Sequence, residues 1–273
     1  MRSDSDDSAA VRRFYETYGW QRGPSGQYRD AEAFVDLRPV LAGYHRRQGR
    51  RVARQLTGRG PLLDIGCGGE PLRAQADGEL RVNVDIAAAA LRGAREGLGD
   101  SACYLQADAC RLPFPADTFA QVLCAHVLYH IPPRRQRLAL VEIHRVLRPG
   151  GVAVVVYMQR STPLQRLLHR LRPGVDRAGA HPQLPSWVVD YRRLQDDLRD
   201  RMRIEVRTWG ILETEVTRAL VPGGVVGRAV LAGVAAVEDV LPHRSVRFAR
   251  YPMLVIRKVA RPSGDRETVR SKQ

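Results

Sequence analysis

The chemistry-bearing residues of this chain lie at three acidic stations and one histidine pair. The run LLDIGCGGEP (62–71) ends an apolar stretch at Asp64 and continues through Gly66 and Gly68. Glycines in such a turn let a ligand approach the backbone with no Cβ in the way. The turn departs from the dinucleotide pattern G-x-G-x-x-G, because Pro71 takes the slot of the third glycine and Asp64 would repel a pyrophosphate. Asp85 closes VNVDI nineteen residues after Gly66, where a carboxylate can accept both hydroxyls of a ribose. Asp108, followed by Ala109, offers a carboxylate and a backbone N–H to an adenine edge. Together these stations describe a site for a nucleoside bearing a compact cationic group. An NAD-type oxidoreductase fits them poorly.

In AHVLYHIPP (125–133), His126 and His130 stand four apart with Tyr129 between them. An imidazole suits deprotonation of a hydroxyl or amine. His130 equally suits packing or capping at a helix start before Pro132-Pro133. A metal reading of the pair lacks a third ligand, so no metal site is expected. Tyr15, Tyr18, Trp20 and Tyr28 form an aromatic cluster near the N-terminus. It reads either as a lid stacking on substrate or cofactor, or as a cap packed on a sheet. Tyr15, Trp20 and Tyr129 are the candidate substrate contacts. Arg38 is expected to pair with Asp36 or Asp30. PLQRLLHRLRPG (163–174) sets Leu164, Leu167, Leu168 and Leu171 on one helical face, with Arg166, Arg170 and Arg172 elsewhere. A substrate-side lid helix is favoured there over a membrane-surface helix.

These residues need a scaffold, and the chain supplies an alternation. PLLDI (61–65), RVNVDI (81–86), ACYLQAD (102–108), TFAQVLCAHV (118–127) and VAVVVYM (152–158) read as strands. AAAALRGAREGL (87–98) and QRLALVEIHRVLRPGG (136–151) read as helices, the second stopping at Pro149-Gly150-Gly151. Strands joined by short helices imply right-handed βαβ units and a parallel sheet. Two more strands follow at 203–210 and 251–259, and 225–241 is an amphipathic helix with Val226, Val230, Leu231, Val234, Val237 and Leu241 on its buried face. The segmentation is a helical cap (1–57), a core (58–160), a lid or insertion (161–200), C-terminal strands with a cover helix (201–260) and a disordered tail (261–273).

The 273 residues are 44% hydrophobic, enough for a sizeable core. Cys67, Cys103, Cys110 and Cys124 form no C-x-x-C pair and read as buried, reduced thiols. No signal peptide or spanning segment is evident, so a cytoplasmic protein is expected. The net charge of +15 sits in the flanks: residues 61–158 hold ten Arg against ten acids. The basic flanks point to an anionic substrate, to nucleic acid or to an anionic membrane, unless the near-exclusive use of Arg over Lys reflects base composition.

LLDIGCGGEP, VNVDI, LQADACRLPFPADTFAQVLCAHVLYHIP and LRPGGVAVVV, in this order and spacing, resemble the class I S-adenosylmethionine-dependent methyltransferases of the type 11 branch. The resemblance covers 61–158. It implies a doubly wound, mostly parallel, seven-stranded Rossmann-like α/β sheet, with S-adenosyl-L-methionine as cofactor. It places Asp64, Gly66 and Gly68 at the methionine part, Asp85 on the ribose, Ile86 against adenine, and Asp108 and Ala109 at the adenine edge. His126 falls near the sulfur, with His126 and His130 as candidate catalytic residues. Glu70 departs from the pattern, standing where the family often has a third glycine. The expected reaction is methyl transfer to O or N of a small-molecule metabolite. RNA methylation is a second reading, which lacks the N/D-P-P-Y/F tetrapeptide (AHVL stands there), and a noncatalytic nucleoside-binding protein is a third. The oligomeric state is open.

Overall fold

In this computed structural model, residues 4–72, 79–159 and 184–259 are described, with residues 162, 163, 166 and 170. Leu164, Leu167, Leu168 and Leu171 of the helix expected at 163–174, most of the Pro- and Gly-rich stretch at 172–186 and the tail from 261 lie outside them.

Seven strands form one sheet: β1 (Leu62–Ile65), β2 (Arg81–Asp85), β3 (Ala102–Gln106), β4 (Phe119–Ala125), β5 (Leu147–Val156), β6 (Ile204–Gly210) and β7 (Tyr251–Arg257). Their order is β3-β2-β1-β4-β5-β7-β6. The first five are parallel to one another, and β7 runs antiparallel between β5 and β6. The order in which strands are added reverses between β1 and β4, and such a switch point opens a crevice at the carboxyl edge of a parallel sheet. β1, β2 and the first six residues of β4 are buried throughout, as expected of strands covered on both faces.

Eight α-helices lie among the described residues: α1 (Asp4–Phe14), α2 (Arg29–Phe34), α3 (Ala42–Ala53), α4 (Ala88–Leu98), α5 (Pro133–Val146), α6 (Tyr191–Leu198), α7 (Thr214–Leu220) and α8 (Gly224–Val240). A single π-helical turn, Tyr15–Gly19, follows α1. One face of the sheet carries a core built around Leu63, Val122, Leu140, Ile143, Val155 and Tyr157. The other is covered partly by α3, through Val52.

Two boundaries and one helix face differ from expectation. α5 ends at Val146, five residues early, and β5 begins at once. Pro149 pushes Arg148 out of the helical region, so the chain extends before the glycines. β4 ends at Ala125, because His126 adopts φ 63° and breaks the ladder. In α8 the buried stripe is Gly227, Leu231, Ala235 and Glu238, while Val226, Val230, Val237 and Leu241 are exposed. Buried Glu238 sets this rotation. It accepts from Tyr44 Oη and from Ile211 N–H, each at 2.6 Å, and pairs with Arg51 at 2.7 Å. Of the cysteines, Cys67 and Cys124 are buried, Cys110 is half-buried, and Cys103 is exposed on the edge strand; all four are free thiols.

Candidate active site

The twelve residues singled out from the sequence all line one chamber of about 810 Å³ along the carboxyl edge: Asp64, Gly66, Gly68, Asp85, Ile86, Asp108, Ala109, His126, His130, Tyr15, Trp20 and Tyr129. Its size falls within the range of ligand sites, roughly 300–1,000 Å³. The residues arrive from five places. β1, β2 and β3 end at the glycine turn, Asp85 and Asp108. His126 follows β4 directly, with Tyr129 and His130 in the turn just beyond it, and the N-terminal cap contributes Tyr15 and Trp20.

Gly66 and Gly68 have φ of 64° and 63°, the left-handed region that glycine enters without penalty. A Cβ at Gly66 would overlap Val127, and one at Gly68 would lie 2.6 Å from Trp20 Cη2. Asp85 sits beneath this turn. Its Oδ2 accepts from Gly68 N–H at 3.1 Å and its Oδ1 from Ala87 N–H at 2.9 Å. Burial pushes the Asp85 carboxyl up to about 6, against the opposing pull of these bonds.

Asp64 is buried and paired with Arg81, which also donates to Asn83 and to the Leu72 carbonyl. Burial raises Asp64 to about 6, and Arg81 holds it from rising further. Asp108 takes Arg135 at 2.6 Å and Cys110 N–H at 2.8 Å. Burial alone would raise Asp108, but these bonds outweigh it and its pKa falls. Its neighbour Ala109 is buried at the same edge.

The N-terminal aromatics lie over the glycine turn. Tyr15 and Trp20 stack at 5.7 Å, and Trp20 meets Tyr28 edge-on at 5.5 Å. Glu16 accepts from the N–H groups of Ala88 and Ala89 at 2.6 and 3.1 Å. It thus caps α4 from across the site, where a carboxylate meets unpaired N–H groups and the positive helix end. Arg38 holds Asp36, Thr217 O and Val221 O, tying the cap to α7.

His126 Nδ1 stands 3.1 Å from Tyr129 Oη, and its ring meets Trp209 at 4.8 Å and Tyr251 at 5.3 Å, both edge-on. Burial, and then His130, lower its pKa to about 4. His130 Nδ1 donates to the Pro185 carbonyl at 2.9 Å, and burial lowers it too to about 4. Both imidazoles are neutral at pH 7. A general base works best with a pKa near the working pH, and neither histidine meets that condition.

The chamber extends past the sequence candidates, along the β6 and β7 side. Asp30, Trp209, Glu213, Glu215, Arg250 and Tyr251 line it. Trp209 to Glu215 run past the carboxyl end of β6, and Arg250 and Tyr251 begin antiparallel β7 at the same edge. The carboxyl-edge rule would have pointed to the residues after RIEVRTWG; no motif marks them. Asp30 is pushed up to about 7, first by burial and then by Asp85.

Comparison with known proteins agrees with this geometry. Residues 63–155 match the family model described as a methyltransferase domain. Methyltransferase GfsG of Streptomyces halstedii is 34% identical over 110 residues, 37% of this chain and 39% of that protein. The sterol 24-C-methyltransferase ERG6B of Gibberella zeae is 34% identical over 100 residues, 33% of this chain and 26% of that protein. The matched region thus spans less than half the length of these relatives. A solved geranyl diphosphate methyltransferase, in complex with geranyl diphosphate and sinefungin, superposes with a TM-score of 0.57 at 17% identity, covering 93% of this chain and 100% of that one. It shares the fold.

Proposed function

We propose that the chain, whose residues 63–155 match the methyltransferase-domain model, is a class I S-adenosylmethionine-dependent methyltransferase that transfers a methyl group to O or N of a small-molecule metabolite by in-line displacement. The observation that carries this reading is the Asp85 carboxylate, buried beneath the left-handed Gly66–Gly68 turn and bonded to Gly68 N–H. Backbone and carboxylate form a cradle open to the chamber. S-adenosylmethionine, the family's cofactor, supplies there a methyl group on a positively charged sulfur.

Each residue has a part in this proposal. Asp85 receives the ribose hydroxyls, exchanging or sharing its bond to the turn. Ile86 and Ala109 flank the adenine, and Asp108 accepts from its amino group. The turn and Asp64 hold the methionine end, with Arg81 neutralising Asp64. Tyr15 and Trp20 close over the donor and exclude water. Tyr129, oriented by His126, borders the path to the acceptor. Alignment of donor and acceptor is the main catalytic contribution open to such a site.

The RNA reading is weaker on this geometry. The chamber contains eight carboxylates against Arg135 and Arg250, a poor environment for phosphates. No helix of the described residues is long and apolar enough to cross a membrane.

The test is calorimetric titration of S-adenosylmethionine and S-adenosylhomocysteine into the protein and into Asp85→Ala. Binding by the wild type, weakened at least tenfold in the variant, supports the reading. A folded wild type that binds neither ligand refutes it. Binding without methyl transfer to any acceptor in a broad panel favours the noncatalytic alternative.

A further inference from the structure

The chain carries a net charge of +15, yet its chamber is acidic. Four chamber carboxylates have guanidinium partners: Asp36 with Arg38, Asp64 with Arg81, Asp108 with Arg135 and Glu213 with Arg250. Asp30 and Glu215 line the same space and form no ion pair among the described residues. Glu213 is only 5% exposed; its Oε2 takes Arg250 at 3.0 Å, but its Oε1 has no hydrogen-bond partner among the described residues. A buried carboxylate oxygen without a donor is costly. Glu213 stands at the N-cap position of α7 and yet makes no side-chain cap there. Its free oxygen awaits a donor from elsewhere.

The neighbouring wall is aromatic. Trp209 and Tyr251 meet at 5.5 Å, and His126 packs edge-on against both. Ring faces carry negative potential and attract organic cations. His126, held neutral by burial, adds no positive charge. Burial, and then Glu213, raise the Glu215 carboxyl, and the charges of Arg250 and Arg218 offset this only in part. Asp30 and Arg250 both act on the Tyr129 hydroxyl, so the donor-side and acceptor-side charges share one space.

We propose that the acceptor is a protonated amine, recognised by Glu213, Glu215 and the Trp209–Tyr251–His126 wall, and that Asp30 takes the proton it must lose. This rests on the methyl-transfer reading above. The ammonium gives one proton to the Asp30 carboxylate, freeing the nitrogen lone pair. The nitrogen then forms a bond to the methyl carbon as the carbon–sulfur bond breaks, its electron pair remaining on sulfur. Positive charge passes from sulfur to nitrogen, where Glu213 and Glu215 stabilise it. Asp30 returns its proton to solvent. The basic flanks suggested an anionic substrate; the chamber lining favours the opposite sign.

The experiment uses two matched trios at pH 7.5: benzylamine, benzyl alcohol and benzoate, and ethanolamine, ethylene glycol and glycolate. Each is titrated calorimetrically into the full chain, alone and saturated with S-adenosylhomocysteine. In at least one trio the amine is expected to bind ten times tighter than its neutral and anionic partners. Glu213→Gln/Glu215→Gln should abolish that preference while changing S-adenosylhomocysteine affinity less than twofold. Glu215→Gln alone, which leaves the Glu213–Arg250 pair intact, keeps the test decisive if the double variant unfolds; it should cut the preference at least threefold. Equal binding within both trios, no binding in either, or a preference that survives substitution overturns the proposal. Amine preference in a protein that fails to bind S-adenosylhomocysteine would sink the methyl-transfer reading and leave the cation site standing. Binding of S-adenosylhomocysteine without amine preference would do the reverse.

Discussion

The carboxyl edge of the sheet has two halves that are built differently. Over β1, β2 and β3 the ligand-facing groups lie within a residue or three of a strand end, and backbone N–H groups do much of the work. Asp85 there is fixed by Gly68 and Ala87 N–H, and Asp108 by Cys110 N–H. Over β6 and β7 the groups are side chains held by other side chains. Glu213 rests on Arg250, and His126 on Tyr129, Trp209 and Tyr251. The first arrangement suits a ligand shared by a whole family. The second can change residue by residue without disturbing the sheet, which is what a variable acceptor requires.

Four substitutions sharpen or break this contrast. The largest effect is expected from Gly68→Val. It combines φ 63° with a Cβ 2.6 Å from Trp20, and should lower S-adenosylhomocysteine affinity by about 100-fold or more, read by calorimetry. Arg81→Met comes next. It strands buried Asp64 without its partner, and urea unfolding should show a loss on the order of 3–5 kcal/mol. A neutral result would mean that Asp64 is protonated and that the donor half does not depend on this pair.

Asp30→Asn tests the charge where the halves meet. Asp30 has its folded pKa raised to about 7, above its unfolded value of 3.8. Its contribution to stability is therefore present below pH 3.8 and is lost as pH rises toward 7. The variant should match the wild type near pH 4 and melt about 5 °C higher at pH 8, by thermal unfolding across that range. Equal melting at both pH values would show that a cation already compensates Asp30. The smallest effect separates the halves directly: Trp20→Ala should weaken S-adenosylhomocysteine binding about tenfold, one cover over the turn being lost. If Trp20→Ala leaves that affinity unchanged, the cap acts only on the acceptor side.

The same division governs what could be read from the residues in order. β1, β4 and the second half of β5 stand where the apolar runs are, because strands buried on both faces need continuous apolar sequence. The residues proposed to hold the donor follow strand ends by fixed, short offsets, so their neighbours in sequence are their neighbours in space. α7 leaves no periodic signal in the sequence: it is seven residues long and buries only Val216 and Thr217. The face of α8 differs from its valine pattern for a related reason. Valine count favoured one side, but Glu238 has Arg51, Tyr44 and the Ile211 N–H waiting on the other.

The amino-acid sequence by itself determined the strand-helix alternation of the parallel core and the place of Asp64, Asp85 and Asp108 at or just after its strand ends, since these depend on local spacing and hydrophobic pattern. Only the tertiary structure decided which charges in the chamber are neutralised. Asp64 and Arg81 are seventeen positions apart, and Asp108 and Arg135 twenty-seven. Nothing in their spacing marks them as pairs, nor does any spacing mark Asp30 and Glu215 as carboxylates left without an ion pair among the described residues. Pairing depends on which strand ends and loops meet at one edge, and the order of strands across the sheet sets that meeting.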